Sequence, residues 1–203
     1  MNGDAEWQRW RREIFGDPYD VWHEGPQFTA LIEAARREPA AVERMLRAGL
    51  ATGDTVAAQS FTALAGAGLA PADAVSILRT ALIRAGDEFR IRVAESLYAL
   101  TRDPGWATPI AGVLAGSASE FVRLDAAIAL AGFPPSTPLV RALATAVRDP
   151  EYLVRYHAAN TLLRWSGDRR RVDGVPALFE KITDETEGAW RAAADELTSR
   201  LCP

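Results

Sequence analysis

The sequence predicts an all-α protein: about five helical hairpins in one right-handed α-α superhelix, closed at its N-terminal end by an aromatic-rich cap. Three observations carry this reading. A nine-residue helical pattern recurs with anchors at 56, 89, 122, 154 and 189, so the copies stand 33, 33, 32 and 35 residues apart. A further stretch of 3.6-residue apolar period precedes each copy. No stretch alternates apolar and polar residues with period two, as a half-buried strand requires.

The elements follow in chain order. Residues 1–38 form the cap. "EWQRWRREIFGDPYDVWHEGPQF" gathers Trp7, Trp10, Phe15, Tyr19, Trp22, His23 and Phe28 in a short span. Trp7, Trp10 and Ile14 share one face of a helix, and "GDPYD" reads as a turn. A stack of repeats must cover its first open face, and terminal units are atypical. The competing reading is an aromatic lid over a groove, since such side chains also anchor interfaces. Residues 39–203 form one continuous repeat domain. Its first helices are expected near 39–50, 71–84, 104–115, 136–148 and 172–183. Pro39, Pro71 and Pro104 stand near helix starts, where proline is tolerated. Gly53, Gly86 and Gly116 stand near helix ends, where a left-handed residue is wanted.

The second helices are the copies themselves: "VAAQSFTAL", "FRIRVAESL", "VRLDAAIAL", "VRYHAANTL" and "AWRAAADEL". Small residues at the fourth and fifth positions after the anchor let helices approach closely. The anchor and the leucine eight positions on fill the space between. A single hairpin buries only part of this surface, so neighbouring hairpins must stack.

The pattern Asp149-Pro150…Val154-Arg155…Ala158-Ala159…Leu162 resembles the HEAT-repeat family, and within it the short bacterial HEAT-like repeats also found in phycobilin lyases. The resemblance covers residues 39–201. It implies an armadillo-like α-solenoid and a binding or scaffold role, and its motif specifies architecture, not activity. It also implies that the Arg after the anchor bonds acidic or carbonyl groups at the turn, as a ladder between repeats. That role falls on Arg90, Arg123 and Arg155. Ala57 departs from the pattern, so the ladder is expected to be missing in the first repeat. The acidic turn residue is matched by Asp149, with Ser117 and Asp87 as looser substitutes.

Composition narrows the function classes. The 203 residues carry a net charge of −4, and Lys181 is the single lysine beside 22 arginines. The acidic balance speaks against a dedicated nucleic-acid binder. One cysteine, Cys202, leaves no disulfide framework or cysteine-based metal site within the chain. The first ten residues have no signal-peptide pattern. The uncharged stretch 55–72 is broken by Gln59, Ser60, Gly66, Gly68 and Pro71 and is too polar to span a membrane. The expectation is a cytoplasmic protein with no membrane partner, no metal and no implied cofactor.

Repeats of this kind place function on one face, usually the concave one. The positions two, three and six after the anchor are expected to face outward. They bring Arg92, Glu95, Asp125, Tyr156, His157 and Asn160 together across three adjacent repeats, with Trp22 as an aromatic anchor. Two readings compete. In one, this face holds a protein or peptide partner and the chain is an adaptor. In the other, Asp125 orients His157 as a general acid or base, and the groove belongs to a small-molecule lyase or isomerase, or to an enzyme similar to the HEAT-like DNA glycosylases. In that case Trp165 joins Asp125 in holding a base, whereas Trp106 and Trp190 read as core. The run Arg169-Arg170-Arg171, beside Asp168 and Asp173, reads as a solvated turn or as a phosphate-contacting patch.

Overall fold

The computed structural model describes residues 3–201, and within α2 the Trp22 side chain also lies outside the description. Among the described residues there are thirteen α-helices, two short 3₁₀ turns and no strand. None of the helices is long and apolar enough to cross a membrane. The chain divides into two compact units, the first ending at Trp106 and the second beginning at Ala107.

The first unit opens with α1 (Gly3–Phe15), α2 (Pro18–Glu24) and α3 (Phe28–Arg37). The expected turn at "GDPYD" is instead a helix start. Asp17 caps it by accepting from the Tyr19 amide at 2.8 Å, and Pro18 supplies the preset backbone of a first helical residue. The hairpins α4 (Pro39–Ala51) with α5 (Thr55–Gly66) and α6 (Ala74–Arg84) with α7 (Asp87–Thr101) follow, and α5 packs along α7. Gly53 is left-handed as expected, with φ of 75°. Gly86 is not: it is the extended N-cap of α7, and Gly116 ends its helix in ordinary helical geometry.

Trp7 explains how the unit is closed. Its side chain is fully buried, and a Cβ on Gly49 would fall 2.7 Å from its indole and 2.7 Å from the Ala57 Cβ. Rings then run outward in a chain from Trp7 to Trp10 (5.6 Å), Phe15 (6.0 Å) and Phe28 (6.0 Å). The indole N–H donates to Asp54 Oδ2 at 3.1 Å. Ala57 stands where the repeat motif has Arg, and its Cβ and the Trp7 indole both border the Gly49 position.

The second unit holds α8 (Ala107–Gly116), α9 (Glu120–Leu130), α10 (Thr137–Ala146), α11 (Tyr152–Trp165), α12 (Pro176–Thr183) and α13 (Glu187–Ser199). They pair as α8–α9, α10–α11 and α12–α13, with α9 against α11 and α13 against both α10 and α11. Two helices begin later than their periodicity suggests. Pro104–Trp106 and Val172–Gly174 are 3₁₀ turns, and Pro176 restarts the chain as the first residue of α12.

The repeat positions do in both units what their chemistry demands. Ser60, Phe61, Val93, Ala94, Ala126, Ala127, Ala158, Ala159 and Ala193 are fully buried, and Leu97, Leu130, Leu162 and Leu197 likewise.

Candidate functional site

The Arg after the anchor acts on turns. In α7, Arg90 donates Nη2 to the Ala85 carbonyl at 2.7 Å. Arg123 forks onto Asp149, Nε to Oδ2 at 2.7 Å and Nη2 to Oδ1 at 3.0 Å, while its Nη1 reaches the Ser117 and Ala118 carbonyls. Arg155 is 5 % exposed. It donates Nη1 to the Asp149 and Pro150 carbonyls at 2.8 and 2.7 Å, and Nε to the Ile182 carbonyl of the next hairpin at 3.0 Å. Its guanidinium lies 4.1 Å from the centre of the Trp190 ring. Burial pulls the Arg155 pKa down, against the opposing pull of Asp149 and Glu151. Arg123 and Arg155 join one hairpin to the next within the second unit, whereas the Arg90 bond stays within its own turn in the first.

In the first unit, Asp54 does the work expected of the turn carboxylate. It accepts from the Val56 and Ala57 amides through Oδ1, and through Oδ2 it takes the Trp7 N–H and an ion pair with Arg11 Nε at 3.1 Å. Sequence reasoning missed Asp54 because it sought the carboxylate at the spacing of Asp149. The available signal was an Asp directly ahead of a helix start.

The outward-facing positions divide. The third and sixth after the anchor are partly open: Arg92, Glu95, Asp125, His157 and Asn160 are all half-buried. The second position faces inward in three repeats, a correction to the expectation, since Ala58 and Ile91 are fully buried and Tyr156 is 8 % exposed, while Leu124 is half-buried and Arg191 exposed. Branched and aromatic side chains there add to the hairpin contacts instead of meeting solvent. In the first unit Arg92 pairs with Glu95, Nη1 to Oε2 at 2.8 Å, one helical turn apart.

In the second unit the α11 residues hold the chain's own loop. Asn160 Oδ1 accepts from the Val172 amide at 2.8 Å, and the Tyr156 hydroxyl donates to Asp173 Oδ2 at 3.2 Å. Arg171 stacks its guanidinium 5.3 Å from the Tyr156 ring, and the His157 imidazole meets that ring edge-on at 5.5 Å. The His157 pKa is pushed below its ordinary value, first by burial and then by the charge of Arg171. A general base needs a partner that raises its basicity, and here the surroundings lower it.

The tryptophans expected in the core are half-buried and use their N–H groups. Trp106 donates to Thr101 Oγ1 at 3.0 Å, and Trp190 donates to the Asp184 carbonyl at 2.7 Å. Trp165 is half-buried at the end of α11. Cys202 and the Trp22 side chain lie outside the described residues. No group of three or more His, Cys, Asp or Glu residues able to hold a metal exists among the described residues.

Beside His157 lies an open cavity of about 360 Å³, bordered by α9, α11 and the loop after α11. A larger groove of about 1090 Å³ runs in the first unit between α4, α6 and the start of α7. Comparison of the chain with family models, curated proteins and solved structures finds no match.

Proposed function

We propose that the chain is a non-catalytic binding module of HEAT-like helical repeats, stacked right-handedly, which takes a peptide segment of a protein partner. The observation that carries this reading is an exposed apolar edge in the second unit. Phe121 is 74 % and Leu153 51 % exposed. Each stands one residue before its anchor, on the neighbouring helices α9 and α11. Apolar groups left exposed at the same register of two packed helices mark an interaction surface. Glu120 and Glu151 stand one and two residues before them in the chain and favour a partner that sets cationic side chains beside aliphatic or aromatic ones.

The concave-face reading through Arg92, Glu95, Asp125, Tyr156, His157 and Asn160 has weaker support. Tyr156 and Asn160 are already engaged with the loop after α11. The enzyme alternative has weaker support too, since burial and the charge of Arg171 lower the basicity of the His157 imidazole. The N-terminal helices read as a cap, because Trp7 is committed to packing.

Selection from a random peptide library tests the proposal. Wild-type protein should enrich sequences pairing Lys or Arg with apolar residues, and a Phe121→Ser, Leu153→Ser variant should not. Enrichment that survives this variant but needs Asp125 and His157 would return function to the other face.

A further inference from the structure

We propose that the cavity beside His157 in the second unit binds the phosphate group of a small phosphate monoester. The proposal is independent of the peptide-binding edge and rests on different residues.

The wall of the cavity is cationic. Arg164, Arg169, Arg170 and Arg171 border it with His157, Asn160 and a single carboxylate, Asp168. That carboxylate is already engaged. It receives Arg170 Nη2 at 2.7 Å and Nε at 3.1 Å, and Arg200 Nη1 lies 3.7 Å away. Arg164 is turned to the carbonyl of Ala131. Arg169 and Arg171 form no ion pair among the described residues. Two guanidiniums therefore border one cavity without a carboxylate in an ion pair, that of Arg171 lying over the Tyr156 ring. A phosphate monoester carries about −1.5 to −2 at pH 7 and accepts the forked hydrogen bonds that guanidinium offers.

The loop that carries these cations is fixed before any ligand arrives. The Val172 amide is tied to Asn160, the Arg170 amide to Asp168 Oδ1 at 3.0 Å, and Asp173 to the Tyr156 hydroxyl. Prior fixing lowers the ordering cost of binding. Since Asn160 accepts through Oδ1, its amide nitrogen remains as a neutral donor on the border of the cavity. His157, held neutral near pH 7 by burial, adds imidazole polarity without a further charge to desolvate.

One side of the cavity is apolar. Ile128, 46 % exposed, and Ala131 form it. This side favours an ester over the inorganic ion. A cavity of about 360 Å³ sits at the small end of ligand sites. The basic group is confined to one loop of a chain with net charge −4. A nucleic-acid backbone needs a longer cationic track.

The chain has only two histidines, His157 at the cavity and His23 in the first unit, so the protein carries its own control. Inorganic phosphate and phenyl phosphate are titrated at constant ionic strength while the two imidazole proton resonances are followed by NMR. The His157 resonance should move saturably and that of His23 should not. Phenyl phosphate should bind several-fold tighter than phosphate. Arg169→Gln, a change to an exposed side chain, should weaken both about tenfold. Arg169→Gln with Arg171→Gln should abolish saturation, with circular dichroism showing an intact fold. Equal movement of both histidines, no movement, unchanged affinity in Arg169→Gln, or phenyl phosphate no tighter than phosphate would each overturn the proposal.

Discussion

The two units satisfy the same need with different chemistry. Each has a hairpin turn whose carboxylate organises the start of the next helix. In the second unit Asp149 is met by Arg123, a cation from the preceding repeat, and it accepts from the Glu151 amide. In the first, Asp54 is met by Arg11 and Trp7 from α1, a helix outside the repeats. One turn is held by an arginine fork and the other by an aromatic ring with a cation beside it. A fork depends on charge and hydrogen-bond geometry. A buried indole depends on shape, and it demands small partners, which Gly49 and Ala57 provide.

Trp7→Ala is the largest break in this comparison. Removing a fully buried indole costs about 3–5 kcal/mol, a large part of a domain's stability. Urea unfolding followed by tryptophan fluorescence measures it. Should the variant fail to fold, Trp7→Phe keeps a ring, drops the bond to Asp54, and should cost about 1–2 kcal/mol. Gly49→Ala attacks the same contact from the other side. Its new methyl meets the indole and Ala57, for a loss of about 1–3 kcal/mol. In a Trp7→Ala background that loss should shrink, because one of the two clashes is gone. Strict additivity would mean that the ring and the glycine do not constrain each other.

Arg155→Met ranks next. It leaves the Asp149, Pro150 and Ile182 carbonyls without their donor inside the second unit, at about 2–4 kcal/mol. Arg155→Lys should recover little of it, since one ammonium cannot reproduce a planar fork that reaches carbonyls of two turns while stacking on Trp190. Hydrogen exchange in α12 and α13 should rise in both variants. Full recovery by lysine would reduce the ladder to a matter of charge alone.

The helices were legible because their cause is periodic. Ala126, Ala127 and Leu130 declare a buried face by spacing alone, and the structure buries them. Arg155 was legible as a structural residue because its motif recurs in register. What stayed hidden depended on partners far along the chain. The need for a glycine at position 49 shows only once Trp7, forty-two positions earlier, is seen beside it. The candidate face erred in a related way. A strict helical wheel put Tyr156 outside, but the loop from Ser166 to Val175 folds back over α11 and encloses it. Loop return is set by a few side-chain bonds, such as Asn160 to Val172, and leaves no period to read.

The smallest predicted effect separates ion pairs of the second unit by pH. Glu196 is held below its ordinary carboxylate value chiefly by the Lys181 ammonium at 2.7 Å, with Arg200 adding to it. Asp168 is held at about 2 by Arg170. A carboxylate with a depressed folded pKa contributes stability above its unfolded pKa and loses it as pH falls through the folded one. The Glu196 contribution is therefore complete above its ordinary value of 4.5 and disappears below it. The Asp168 contribution, ordinary value 3.8, drains further down, toward pH 2. His157 acts in a separate window. Its folded pKa is lowered from 6.5, so the unfolded chain takes up a proton first, and stability declines as pH drops below 6.5. Glu196→Gln should cost at most about 1 kcal/mol at neutral pH and flatten the stability profile below pH 4.5, leaving the slope beneath 6.5 intact. His157→Gln should flatten the upper slope and spare the lower. If Glu196→Gln leaves the acid limb as steep as in wild type, the Lys181 pair is a surface contact with no share in stability, and the second unit stands on its guanidinium ladder alone.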